Sequence, residues 1–178
     1  MEGQEDGQIT LRAAMLADCK RIWEWRNETA TRKGSFRSDR ISYAVHKKWF
    51  EGKLKDPCTS LLIVVDDHGR DVGYVRFDIG GANAEISVAI DSRERRKGYG
   101  LLAIRSGVQH ILRQSPIGRV VARIRLENLR SVSTFRRAGF VPAGRVKVQG
   151  IDGHEMVYER TARTQTPDQE VLGFRPIR

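Results

Sequence analysis

Short apolar blocks separated by polar punctuation run from residue 9 to residue 160, and their period switches between two and about 3.6 residues. Ile9 to Arg12 reads as a short strand. Asp18 stands at an N-cap position ahead of a helix over Cys19 to Arg26, with Cys19, Ile22 and Trp23 on one face. Asn27 to Arg40, rich in Thr, Arg and Ser, reads as a polar loop. Ser42 is placed to cap a second helix to about Leu54, with Val45, Trp49, Phe50 and Leu54 inward. Thr59 to Val65 predicts a buried strand, Asp66 to Arg70 a turn, and Val72 to Ile79 its hairpin partner. After Gly80-Gly81-Ala82-Asn83, Ala84 to Ile90 is a further strand and Leu101 to Leu112 a helix. Arg119 to Leu126 is a strand, and Asn128 to Ala138 a helix closed by Gly139, a natural residue after a helix end. Val141 to Val148 and Glu155 to Arg160 form a last hairpin across Gly150 to Gly153. The order is β–α–α–β–β–β–α–β–α–β–β, with four helices.

A chain of 178 residues suits one domain, expected over 1–160, with a polar extension over 161–178. The longest apolar run, Leu61 to Val65, is too short to cross a bilayer. Met1 to Gln8 is polar and acidic and does not read as a signal peptide. Cys19 and Cys58 then read as free thiols of a reducing cytoplasm. His46, His68, His110 and His154 are far apart in sequence, so no metal site is expected. The net charge of +10 raises nucleic acid as a partner. The aromatic residues are not interleaved with the basic ones, and no zinc-finger or RNP-type motif is present. A cofactor with several phosphates, or a nucleotide-linked substrate, accounts for the charge as well.

The strongest chemical signal is Arg93-Glu94-Arg95-Arg96-Lys97-Gly98-Tyr99-Gly100, between a strand and a helix. Two glycines free the backbone N–H groups to turn inward, and the helix start adds unpaired donors and a positive dipole end. Phosphate binds well at such a place. The Lys-Ser/Thr of a Walker A loop is missing. Gly98 to Ala103 fits G-x-G-x-x-A, but seven residues, Asp91 to Lys97, separate it from its strand, unlike a dinucleotide fold. A basic surface turn that merely caps a helix is the plainer alternative.

Arg95-x-x-Gly98-x-Gly100 resembles the Q/R-x-x-G-x-G/A signature of the GCN5-related N-acetyltransferase (GNAT) superfamily. Downstream, Asn128-x-x-Ser131-x-x-x-Phe135-x-x-x-Gly139-Phe140 resembles the same family's second landmark. The two stand in the right order, with room between them for a helix and a strand. The resemblance implies an α/β (α+β) fold: a single GNAT-like domain whose mixed sheet splays open between its fourth and fifth strands. It implies acetyl-CoA as donor. Its diphosphate would lie on Arg95, Arg96, Lys97, Gly98, Tyr99, Gly100 and Leu101, and its pantetheine along Val88, Ala89 and Ile90, near Asn128, Ser131 and Phe135. The Val88 N–H would face the thioester carbonyl as an oxyanion donor.

Direct attack needs a neutral amine, so a base must take its proton. Glu85 is the first candidate, unless it only faces solvent or pairs with an arginine. His46 is the second, unless it is simply packed. The family's usual tyrosine falls at Phe135, which has no proton to give the leaving thiolate; Ser131, Ser133 or water are the substitutes considered. Arg123 stands where peptide N-terminal acetyltransferases often carry Glu. Trp25-Arg26-Asn27, Arg32-x-x-Ser35-Phe36 and His46-x-x-Trp49-Phe50 resemble the branch that acetylates nucleotide-linked amino sugars, of the pseudaminic acid pathway type. That likeness implies acceptor contacts at Trp25, Arg26, Asn27, Arg32, Ser35, Phe36 and Trp49. The rival readings are a peptide N-terminal acetyltransferase and a non-catalytic acyl-CoA-binding module. A homodimer is left open.

Overall fold

The computed structural model describes residues 8–160. The extension expected over 161–178 and most of the polar N-terminus lie outside them. The strands are β1 (Ile9–Ala13), β2 (Thr59–Asp66), β3 (Asp71–Gly80), β4 (Asn83–Ile90), β5 (Arg119–Arg125), β6 (Val141–Val148) and β7 (Ile151–Glu159). The helices are α1 (Cys19–Asn27), α2 (Thr29–Gly34), α3 (Tyr43–Lys55), α4 (Tyr99–Gln114) and α5 (Leu129–Arg137). The strands form one sheet in the order β1-β2-β3-β4-β5-β7-β6. Every neighbouring pair is antiparallel except β4 and β5.

That exception shapes the molecule. The parallel pairing joins only Asn83, Ala84 and Glu85 to Arg119, Val120 and Val121. Both strands continue past it without pairing, so the sheet opens between its fourth and fifth strands, as expected.

Helices cover both faces. On one, Ala103, Ile104, Val108 and Ile111 of α4 and Phe135 of α5 pack on Val75, Phe77, Ile86, Val120, Ala122 and Ile124. On the other, Cys19, Ile22 and Trp25 of α1 and Phe50 of α3 pack on Leu61, Ile63, Tyr74 and Ala89. Alternation along the strands sorts the remainder: Glu85 and Ser87 of β4, and Arg123 and Arg125 of β5, fall on the α1/α3 face.

Four local readings are corrected. The loop expected over Asn27 to Arg40 contains α2. The buried tryptophan of α1 is Trp25, not Trp23. Residues 19, 22 and 25 follow i, i+3 spacing, whereas Trp23 sits at the margin and donates its indole N–H to the Ile41 carbonyl (2.7 Å). On α3, His46 and Phe50 point inward at i, i+4, and Val45 stays exposed. The Ser42 cap is as expected, its hydroxyl accepting from the Val45 N–H. Finally, β7 begins at Ile151, because Gln149 (φ 51°) and Gly150 (φ 81°) make a tight two-residue hairpin turn.

Candidate active site

The backbone of β4 defines the opening. The Asp91 N–H donates to the Val72 carbonyl on the β3 side (2.9 Å), and the Ala82 carbonyl accepts from Gly118 on the β5 side (2.9 Å). With a period of two, odd-numbered residues of β4 turn their polar groups to β3 and even-numbered ones to β5. Val88 and Ile90 therefore turn N–H and C=O into the gap beyond the paired stretch. The Ile90 carbonyl accepts from Arg95 Nε (3.0 Å), and Ala89 turns its polar groups to β3.

The basic loop lies at the C-terminal end of β4. Arg96 (φ 68°) and Gly98 (φ 87°) are left-handed, and Gly98 is the N-cap of α4. This conformation is costly for a side chain at Gly98, although a Cβ there would meet nothing within 4 Å. Among the described residues, the N–H groups from Arg96 to Gly100 donate to no protein acceptor; the first bond into α4 runs from Leu101 to the Gly98 carbonyl (3.0 Å). A Cβ on Gly100 would lie 3.9 Å from Ile90 and 4.0 Å from Thr134, so the fold itself tolerates one there. These unpaired donors at the start of a sixteen-residue helix suit a diphosphate.

Side-chain charge is spent differently from the sequence reading. Arg95 is a strut: besides Ile90 O, it reaches Glu28 (2.8 Å) and Thr31 (2.7 Å). Lys97 pairs with Glu94 (2.8 Å). Arg93 pairs with the buried Asp91 (2.7 Å) and holds that carboxyl far below the ordinary range, burial opposing and the Trp25 indole assisting. Arg96 is exposed and, among the described residues, makes no ion pair. Tyr99 is buried, while Leu101 packs partly on the α4 core.

Across the gap, Asn128 caps α5, its Oδ1 accepting from the Ser131 N–H (3.2 Å). Its Nδ2 reaches the Gly34 carbonyl (3.3 Å), so the landmark asparagine also ties two helices together. Phe135 is buried, edge-on to Phe140 with centroids 4.9 Å apart. It is a core residue.

On the α1/α3 face, Glu85 lies at the last paired position of β4. It bonds Arg123, whose Nε also reaches Glu155 (3.4 Å), so a carboxylate–guanidinium–carboxylate chain crosses the base of the gap. Arg76 bonds Asp78 (2.8 Å) and lies over Trp49, 5.3 Å from the ring centroid. His46 is 2% exposed and stacks on Phe50, 5.8 Å between centroids. Burial pushes its pKa down, with Arg26 adding to the effect and the Cys19 backbone opposing it.

The segment from Arg26 to Ile41 straps this face, which sequence reasoning did not foresee. Its Glu28 accepts from Ser92 N–H (3.1 Å) and pairs with Arg95, on the β4 side of the opening. The Gly34 and Ser35 carbonyls accept from Asn128 and Arg125 (3.4 Å for the latter), on the β5 side. Phe36 packs against Gly153 of β7, where a Cβ would come within 2.6 Å of the ring. Asn27 closes the strap by two bonds to the Ile41 backbone (both 2.9 Å). Arg32 bonds the Asn27 and Ser38 carbonyls (3.1 and 2.8 Å). Asn27 and Arg32 thus spend these groups on the strap itself. Trp25 is 3% exposed, stacks on Tyr74 and donates to Asp91 (2.9 Å). Of the residues expected to meet an acceptor, Arg26, Arg32, Phe36 and Trp49 remain half-exposed with aromatic or cationic surface. The missed participants, Glu28, Arg76 and Asp91, carry no spacing signal; each acts across 11 or more residues of sequence or beside a partner set by the fold.

The model of the acetyltransferase (GNAT) domain matches residues 8–141, and the chain belongs to that family. It is therefore a GNAT-type acetyltransferase, of a family whose donor is acetyl-CoA. Among solved structures, the chain is similar to the aminoglycoside acetyltransferase AAC(6')-Ib in complex with ribostamycin and coenzyme A. The two are 19% identical, the match covers 91% of this chain and 99% of that one, and the TM-score is 0.78. It is also similar to the spermidine N-acetyltransferase from Vibrio cholerae in complex with CoA and spermine, at 21% identity, 85% and 95% coverage, and TM-score 0.75. At such identities the likeness concerns the fold. No curated protein sequence matches.

Proposed function

We propose that this protein transfers the acetyl group of acetyl-CoA, by direct attack, to the amine of a small acceptor, a nucleotide-linked amino sugar. The observation behind the donor half is the unpaired N–H row from Arg96 to Gly100, set beside a strand edge whose Val88 groups face the opening. The diphosphate sits on the helix start, and the pantetheine pairs with β4 as an added strand would. The Val88 N–H is then positioned to stabilise the thioester oxyanion. Amine attack on the carbonyl carbon forms the C–N bond, the C–S bond breaks, and the amine proton passes through Glu85, directly or by water. The thiolate leaves without help from Phe135; thiols ionise near roughly pH 8.5, which makes thiolate a fair leaving group.

The acceptor half rests on charge. The carboxylates of the α1/α3 face, Glu85, Glu155, Asp78 and Glu28, are each held by an arginine or lysine. Such a face gives a polyamine or aminoglycoside little free negative charge to bind, and it suits an acceptor with an anionic part. Trp49 and Phe36 offer stacking surface for a sugar or base. The test is coenzyme A release with a UDP-linked 4-amino sugar, spermidine, an aminoglycoside and an N-terminal peptide. Turnover with the first alone is expected. Turnover with the peptide or the polyamine instead would reassign the acceptor. Binding of acetyl-CoA with no turnover of any amine would favour the non-catalytic module that the missing hydroxyl at Phe135 suggests.

A further inference from the structure

Several cations around the sheet and the glycine-punctuated loop are paired with carboxylates. Arg12, Arg76, Arg93, Arg95, Arg123 and Lys53 each reach a carboxylate within 3.4 Å. Three arginines of the strap bond neutral acceptors instead. Arg26 Nη2 donates to the Arg37 carbonyl (2.6 Å), and Arg32 bonds only the two carbonyls described above. Arg37 Nε reaches the side-chain oxygen of Gln149 in the β6–β7 turn (2.9 Å), with that amide turned oxygen-first. All these acceptors are neutral. Among the described residues, none of the three arginines makes an ion pair; Glu28 is occupied by Arg95, and the exposed Asp39 pairs with none of them. Arg26 Nη1 is buried and bonds nothing. Burial lowers the Arg26 pKa, and the charges of Arg76, Arg32 and Arg37 add to that effect against the Tyr74 phenol. Three guanidiniums repelling one another without a carboxylate cost stability, and their field attracts an anion. The strap holds this charge beside the opening where the amine must arrive.

We infer that Arg26, Arg32 and Arg37 recognise an anionic group, phosphate or carboxylate, on the acceptor whose amine is acetylated at the β4–β5 opening. The inference rests on the acceptor approaching from the α1/α3 face, as proposed above. A guanidinium binds either oxyanion through two parallel hydrogen bonds. The amine and the anion are then read at two points, which excludes a simple polyamine by repulsion.

Calorimetry on the full chain saturated with coenzyme A tests this with two probes, UDP for phosphate and succinate for carboxylate. Saturation keeps UDP off the donor loop. One probe is expected to bind, which identifies the anion, with affinity falling as salt rises. Arg37→Gln should weaken that probe roughly ten-fold or more while acetyl-CoA affinity holds. Arg26→Lys, which keeps the charge but loses the fork, should weaken it as well. Binding of neither probe, or equal binding by Arg37→Gln, overturns the inference. Because the readout is binding, the two claims separate. Probe binding that Arg37→Gln weakens, with no amine ever acetylated, supports the anion site and sinks the acetyl-transfer reading. Acetylation of uncharged amines with an unchanged KM in Arg37→Gln does the reverse.

Discussion

Glu85 and His46 were the two candidate bases, and their surroundings separate them. Glu85 is at the opening, half-exposed and bonded to Arg123, on the face from which the proposed acceptor approaches. Glu85→Gln keeps the hydrogen bond and removes the base; kcat should fall roughly 100-fold with acetyl-CoA affinity unchanged. Stopped-flow kinetics with equal turnover would remove Glu85 from the mechanism. His46 lies in the core, and its consequence is stability. Burial lowers its folded pKa below the ordinary 6.5, so the unfolded chain binds the proton more readily. Its contribution is complete above pH 6.5 and is lost as pH falls through the lower folded value. Melting curves between pH 7 and 5 should therefore show a steeper decline for the native chain than for His46→Gln. Parallel declines would mean that His46 does not titrate in this way.

At the level of elements, the start of α4 combines two glycines with different tasks. Gly98 holds a left-handed cap, and Gly98→Ala should cost about 1–2 kcal/mol. Gly100 has ordinary helical surroundings and room for a methyl group, so Gly100→Ala should leave the free energy of unfolding within about 0.5 kcal/mol of native. A bulkier Gly100→Val should instead raise the KM for acetyl-CoA, because its branches project toward the space between Ile90 and Thr134. Denaturant titration and donor kinetics together separate a folding glycine from a binding one. The strap is the element least visible in the chain. Asn27 was expected as an acceptor contact because it borders a polar loop, and Asn128 as a cofactor contact from its landmark. Their amides also hold backbone: Asn27 that of Ile41 in the strap, Asn128 that of Gly34 at the end of α2 and of Ser131 in α5.

For the whole molecule, the prediction concerns linkage. A ligand that binds only the folded chain stabilises it by about 2.7 kcal/mol at a hundred times its Kd. Acetyl-CoA should therefore raise the melting temperature, while NAD, whose fingerprint the loop partly imitates, should leave it unmoved. The reverse result would return the loop to the dinucleotide reading. No helix among the described residues is long and apolar enough to cross a membrane. Among the described residues, Arg93, Arg95 and Lys97 beside the glycines of 98–100 are paired with carboxylates, whereas Arg26 and Arg32 of the strap bond neutral carbonyls.

By itself, the sequence determined the strands, every helix but α2, their order and the place of the glycine-punctuated loop, because periodicity, caps and glycine punctuation are local. Arg95-x-x-Gly98-x-Gly100 and the Asn128 landmark were legible for the same reason: each is a short run with a conformational demand. Tertiary structure decided what each side chain faces. It put Trp25 and His46 in the core, bonded Glu85 to Arg123 from 38 residues away, and turned Arg95 into a strut to Glu28. It also limited the β4–β5 pairing to three residues, which opens the sheet. Those outcomes depend on which strands diverge and which helices cross them, and neighbouring residues in the chain carry no record of that.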